Sequence, residues 1–216
     1  FNKYNASFPP QNLNLKIKSY FCRMMNKKEL NFWFNRISRL LLHPSQEWDK
    51  IREEPTEKNP LFRKFFIPFC ITVAVAVWFI SLLWLNFFYA LGYALIHLAS
   101  NLLGTYVVVL LISEYLNGKS LDAGNTALNL TVFSAAIFLF FHSLSGAFGN
   151  NFMGQLTDLL SLIFLRTLYT GIYATTELTT NQKTNLFIIT SLAIIFIPVI
   201  LHKLLMILFH IPALNV

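Results

Sequence analysis

The sequence predicts an all-α, polytopic membrane helix bundle: about five transmembrane helices preceded by an N-terminal amphipathic helix. Three observations carry that prediction. Phe65 to Ser113 is a run of 49 residues without an Asp, Glu, Lys or Arg. A bilayer core takes roughly 20 apolar residues per helix, so the run is too long for one span and suits two joined by a short turn. Hydrophobic residues make up 55% of the 216 and charged residues only 12%, against roughly 25% charged in a soluble domain. The third observation is charge asymmetry. Residues 1–64 hold 13 of the 17 Lys and Arg and 6 of the 10 Asp and Glu, so the whole net charge of +7 lies ahead of the first span. A basic segment can bind nucleic acid or stay on the cytoplasmic side beside anionic lipid. Apolar spans that follow directly favour the membrane reading, with no nucleic-acid partner.

Residues 1–24 are Asn-rich and contain Pro9-Pro10. They read as a disordered tail or upstream extension, with Met25 as the natural start. Cys22 lies in this tail and Cys70 in an apolar run, so no disulfide and no metal-type cysteine spacing is expected. Residues 25–64 read as a cytoplasmic amphipathic segment. Within 28–42, Leu30, Trp33, Phe34, Ile37, Leu40 and Leu41 recur at helical spacing, with Lys27, Lys28, Arg36 and Arg39 around them. Such a helix lies in the membrane interface or packs against the cytoplasmic ends of the spans, and the pattern fits both. Pro44 suits the first position of a second, short helix over Ser45–Glu54, with Gln46 as a capping partner and Trp48 and Ile51 on one face. Pro55 and Pro60 end that helix. Arg63-Lys64 mark the cytoplasmic edge of the first span.

Five spans follow over 65–210, placed by charge and turn residues: about 65–85, 89–113, 126–144, 153–176 and 186–209, the last carrying Pro198 as a kink. With the N-terminus inside, the loops after the second and fourth spans carry Glu114, Lys119, Asp122, Glu177 and Lys183. The other two loops carry no charge. The expected topology is therefore N-terminus cytoplasmic and C-terminus outside, in a cell inner membrane, decided by the basic N-terminal section.

Leu40-Leu41-Leu42-x-Pro44-x-x-x-Trp48-x-x-Ile51, then Ile67-Pro68 at the start of a span, resembles the bacterial branch of the Yip domain family. Leu168-Tyr169-Thr170-Gly171-Ile172 is similar to the tyrosine-glycine end of that family's fourth span. The resemblance covers about residues 38–210. It implies a five-span membrane protein related to eukaryotic proteins that associate with Ypt/Rab GTPases. The Asp-Leu-Tyr-Gly-Pro signature of the eukaryotic members is absent, which argues against a Rab-type partner here.

Ionisable groups inside spans are costly and are functional candidates by default. His97, His142, Asp158 and His202 project to one layer of the outer leaflet, roughly 4–12 Å below its surface at ~1.5 Å rise per residue. Scattered structural hydrogen bonds, a convergent pocket for a lipid headgroup or small polar ligand, and a transition-metal site of the three imidazoles and the carboxylate all fit that layer. Arg166 sits near the middle of the fourth span. It reads as an interhelical clamp, a phosphate contact or a snorkelling side chain. No Gly-rich phosphate loop, His-Glu-x-x-His or Gly-x-Ser-x-Gly is present, and no catalytic residue or cofactor is assigned. The leading expectation is a non-enzymatic adaptor or membrane organiser, docking a protein partner through Trp33, Trp48 and Ile51. The alternative is a protein that handles lipid or small solutes, scramblase- or transporter-like, through the polar layer and Arg166. A metal-dependent membrane enzyme is the third. A polar connection from Asp158 to Arg166 discriminates for the second.

Overall fold

The computed structural model describes residues 27–54, 61–119, 122–148 and 151–211. The tail over 1–24, Cys22, and the linker with Pro55 and Pro60 lie outside the described residues. Every regular element among the described residues is helical. α1 (Lys27–Leu42) and α2 (Pro44–Glu53) precede a π-helical turn, Leu61–Phe66, that runs into α3 (Ile67–Ser81). α4 (Phe87–Leu116), α5 (Ala123–Phe148), α6 (Phe152–Ser161), α7 (Ile163–Thr175) and α8 (Thr180–Leu208) follow.

Among the described residues, four helices are long and apolar enough to cross a membrane: Leu61–Ser81, Phe87–Leu116, Ala123–Gly146 and Thr180–Leu208. The chain is an all-α polytopic membrane protein. Local chemistry sets the helix ends. The Asn86 side chain accepts from the Tyr89 amide at 3.0 Å and starts α4. Asn151 accepts from Gly154 at 2.8 Å and starts α6. Thr179 and Gln182 form a capping box at the start of α8. Gly118 takes φ 75° after α4, a left-handed turn that glycine adopts without a Cβ penalty. Pro44 does open α2, but no side chain caps that helix; the expected role of Gln46 is not filled.

The expected fourth span is interrupted. Leu162 separates α6 from α7, and around it the backbone changes to three-residue bonding: Leu162 N to Leu159 O at 3.2 Å, Leu165 N to Leu162 O at 3.0 Å. Hydroxyls crowd the turns before it. Ser161 donates to Asp158 O at 2.6 Å and Thr157 to Gly154 O at 2.9 Å, in competition with the helical ladder. The stretch from Leu159 to Leu165, apolar but for Ser161, hides such a break, because hydropathy reads composition and not the ladder.

The centre of the bundle is α5. It packs against α3, α4, α6, α7 and α8, and 72% of its apolar stretch is buried against 28–44% in the other three long helices. α6 and α7 return along it in a single antiparallel register: His142 meets Asp158, Phe138 meets Phe164, and Leu130 lies against Gly171. α4 and α8 form a second antiparallel pair, in which Gly104 faces Pro198; a Cβ on Gly104 would lie 2.8 Å from the Pro198 Cα. Small residues at such crossings let backbones approach, which drives helix association where lipid gives no hydrophobic preference between helices.

α1 and α2 pack against the bundle. Leu40 is fully buried, and Trp33, Ile37 and Leu41 rest on the core.

Candidate functional site

The predicted polar layer resolves into two pairs joined through neighbouring residues of α5. His97 on α4 and His202 on α8 stand with ring centroids 5.2 Å apart and nearly perpendicular. Tyr93, one turn before His97, stacks on it at 6.3 Å and meets the His202 ring edge-on at 5.3 Å. The Ser143 hydroxyl and His97 Nε2 share a hydrogen bond at 2.6 Å. Ser100 donates to the His97 carbonyl at 3.0 Å and lies 3.5 Å from His202 Nδ1. The second pair is His142 with Asp158, Nδ1 to Oδ1 at 2.9 Å, linking α5 to α6. It is open to the outside of the bundle, with the carboxylate more exposed than the ring.

His97 and Ser143 are buried, so the first cluster ties α4, α5 and α8 together from within. Tyr93, Ser100 and Ser143 were not picked out from the sequence. Helical spacing held a signal for two of them: Tyr93 and Ser100 lie four before and three after His97, on its face. Ser143 had none beyond adjacency to His142. Among the described residues no three His, Cys, Asp or Glu side chains come together in a way that could hold a metal ion. The four layer residues make separate pairs, and the nitrogen of His97 that faces α5 is engaged by the Ser143 hydroxyl.

Arg166 does not act as an interhelical clamp among the described residues. Phe164, Thr167, Leu168, Gly171 and Ile172 fill the inward face of α7, whereas Arg166 lies on the outward face. Gln155, Asp158, Leu162, Arg166, Tyr169 and Tyr173 follow one another at spacings of three and four residues, and all are exposed. They make one outward face along α6 and α7, polar groups interleaved with leucine. Tyr169 and Tyr173 stack at 4.6 Å, and Lys183 Nζ sits 4.9 Å from the Tyr173 ring centre. The face thus ends on a cation at the start of α8.

The expected docking residues are placed inside the fold. Trp48 is 0% exposed and Ile51 is buried; Trp33 is half-buried against Phe65 at 5.0 Å. Trp48 Nε1–H donates to the Thr167 carbonyl at 2.9 Å, and its ring meets Phe133 edge-on at 5.9 Å. Gly171 makes room for it: a Cβ there would lie 2.6 Å from Trp48 Cε2. Around this contact Arg36 bridges α1 to α2, pairing with Glu47 at 3.2 Å and, in a two-point contact, with Glu54. Arg52 donates to the Ala174 carbonyl at 3.2 Å, capping the end of α7. Neither Trp48 nor Ile51 offers a surface to a partner in this structure. The physical reason is that a large amphipathic side chain satisfies its N–H and buries its ring better on α7 than in solvent.

No family model, curated protein or solved structure matches the chain.

Proposed function

We propose that this protein is a non-enzymatic, lipid-handling membrane protein that guides phospholipid headgroups along the outward face of α6 and α7. The observation that carries the reading is the exposed face from Gln155 and Asp158 through Arg166 to Tyr173 and Lys183. A helix surface turned toward acyl chains is expected to be apolar. Asp158 and Arg166 on that surface need a polar partner, and among the described residues only Asp158 has one, His142. A guanidinium pairs with phosphate in two-point geometry, and a carboxylate suits an ammonium headgroup. The break at Leu162 falls between the two charges. The adaptor reading loses its support, since the side chains meant to dock a partner are packed against α5 and α7.

The same proposal keeps the Yip-like assignment, an inner-membrane location, a cytoplasmic N-terminal section and an outward C-terminus. The motif around Trp48 and the basic charge before the first span support these. In the fold, the motif's Trp48 and Gly171 lie directly against each other.

The test is reconstitution of the full chain into phosphatidylcholine–phosphatidylglycerol vesicles carrying headgroup-labelled phospholipid. Access of a membrane-impermeant reductant to the inner leaflet reads transbilayer movement. The expected result is faster exchange than in empty vesicles, lost in Arg166→Ala and reduced in Asp158→Asn. Exchange no faster than in empty vesicles overturns the reading. Single-cysteine labelling from each side of the membrane tests the topology; a C-terminal residue labelled from the cytoplasmic side refutes it.

A further inference from the structure

A second lipid-facing feature lies away from the α6–α7 face and shares no residue with it. α1, α3 and α5 enclose a groove of about 390 Å³, within the ~300–1,000 Å³ range of small-molecule sites. Its walls are almost wholly apolar. Trp33 and Ile37 come from α1, and Ala136 and Phe140 from α5. Its hydroxyls are those of Ser38 and Thr72, and the Thr72 hydroxyl is already donated to the Pro68 carbonyl at 2.9 Å. Lys64 is the one charged residue that lines it. Its side chain is exposed and makes no hydrogen bond or ion pair among the described residues.

The groove has a direction. Lys64, Pro68, Thr72 and Ala76 line it at four-residue intervals, one stripe ~18 Å long at 1.5 Å per residue. Lys64 opens the stripe in the first turn of the Leu61–Ser81 span, and Ala76 closes it deep within that span. One leaflet of a bilayer core is ~15 Å thick, half of the full core. The groove is therefore as long as one acyl chain lying in one leaflet, with a cation where a phosphate would sit. A lysine ammonium is a compact phosphate partner, and its stem reaches the headgroup level readily.

We propose that this groove is a resident-lipid site: it holds one acyl chain of an anionic phospholipid, whose phosphate pairs with Lys64. The site is structural in kind, seating α1 against α3 and α5, and stands whether or not α6 and α7 move lipid.

The test uses the full chain purified in mild detergent and titrated with phosphatidylglycerol or phosphatidylcholine, read by native mass spectrometry. The wild type is expected to retain one phosphatidylglycerol per chain in preference to phosphatidylcholine. Lys64→Gln, a change at an exposed position, is expected to weaken phosphatidylglycerol roughly tenfold, the loss of one charge-assisted contact, and to weaken phosphatidylcholine, whose phosphate is offset by its own ammonium, by much less. Ala136→Phe fills the groove and is expected to abolish retention of both. Should that variant fail to fold, the Lys64→Gln comparison alone decides. The proposal is overturned by equal retention of the two lipids in the wild type, or by binding that does not depend on Lys64. It is also overturned if free fatty acid is the retained species, or if cross-linking from Ser38→Cys captures the chain's own residues 1–26 in the groove.

Discussion

The two faces of α7 make opposite use of the same helix. Inward, Phe164, Thr167, Leu168, Gly171 and Ile172 are buried, and Gly171 is shaped to receive the Trp48 ring. Outward, Arg166, Tyr169 and Tyr173 are exposed, with Tyr169 also meeting Phe187 of α8 edge-on at 5.8 Å. The inward face builds the fold: it fixes α2 and, through Arg36, α1. The outward face packs less, and its Arg166 side chain makes no hydrogen bond or ion pair among the described residues. The difference predicts that inward substitutions change stability, and outward ones change what the protein does while leaving it folded.

The largest break comes at Trp48. Trp48→Ala removes a fully buried ring and its bond to Thr167, and is expected to cost about 3–5 kcal/mol. Trp48→Phe keeps most of the bulk and loses the N–H, at about 1 kcal/mol. Denaturant unfolding in detergent, followed by helical circular dichroism, measures both. If Trp48→Ala unfolds like the wild type, the ring is not packed on α7 and a docking role for Trp48 returns.

Arg36→Met comes next. It leaves Glu47, 2% exposed, without its guanidinium. Removing one partner of a buried ion pair costs about 3–5 kcal/mol; the exposed side of Glu54 places this case at the lower end. Lys50, 3.8 Å from the other Glu47 oxygen, is then the carboxylate's remaining cation. The loss is expected to shrink when Glu47→Leu is added, since the buried carboxylate then disappears.

Gly171→Ala is smaller and sharper. The added methyl meets Trp48 and the Leu130 side chain below 3 Å, overpacking that costs about 1–3 kcal/mol. In the Trp48→Ala background the same methyl has space. A double-mutant cycle is expected to show a coupling of about 1 kcal/mol or more; additive effects would separate the two residues.

These contacts mark what the sequence can and cannot disclose. The apolar run from Phe65 to Ser113 displays two spans openly, because burial in lipid constrains every residue of a helix. Trp48 and Ile51 were visible as one apolar face, but a face does not name its partner. Solvent, membrane surface and α7 all satisfy it until the register of α2 on α7 is known. The break at Leu162 was invisible, since Leu, Ser and Thr keep the hydropathy of an unbroken span. The histidine layer was half legible. Depth along each helix follows from rise per residue, and the His97 and His202 rings stand 5.2 Å apart. Rotation about each axis does not, and rotation separates His142 with Asp158 from the buried pair. Arg166 was legible as costly, yet its outward direction follows from the packing of Phe164 and Leu168 on α5.

The smallest expected stability effect belongs to Arg166, and for that reason it decides most. An exposed side chain without a partner among the described residues contributes little to folding, so Arg166→Ala is expected to stay within about 0.5 kcal/mol of the wild type. Under the lipid-handling proposal the same change stops headgroup movement in vesicles. Arg166→Lys keeps the charge but not the two-point geometry, and is expected to restore exchange only in part. A stability loss as large as that of Trp48→Ala would mean that Arg166 holds the bundle together, contrary to its outward position. An unchanged exchange rate in a folded Arg166→Ala protein would detach the polar face from function and leave the charge to snorkel. Measuring stability and exchange on one preparation separates these outcomes, because the inward face of α7 moves the first quantity and the outward face the second.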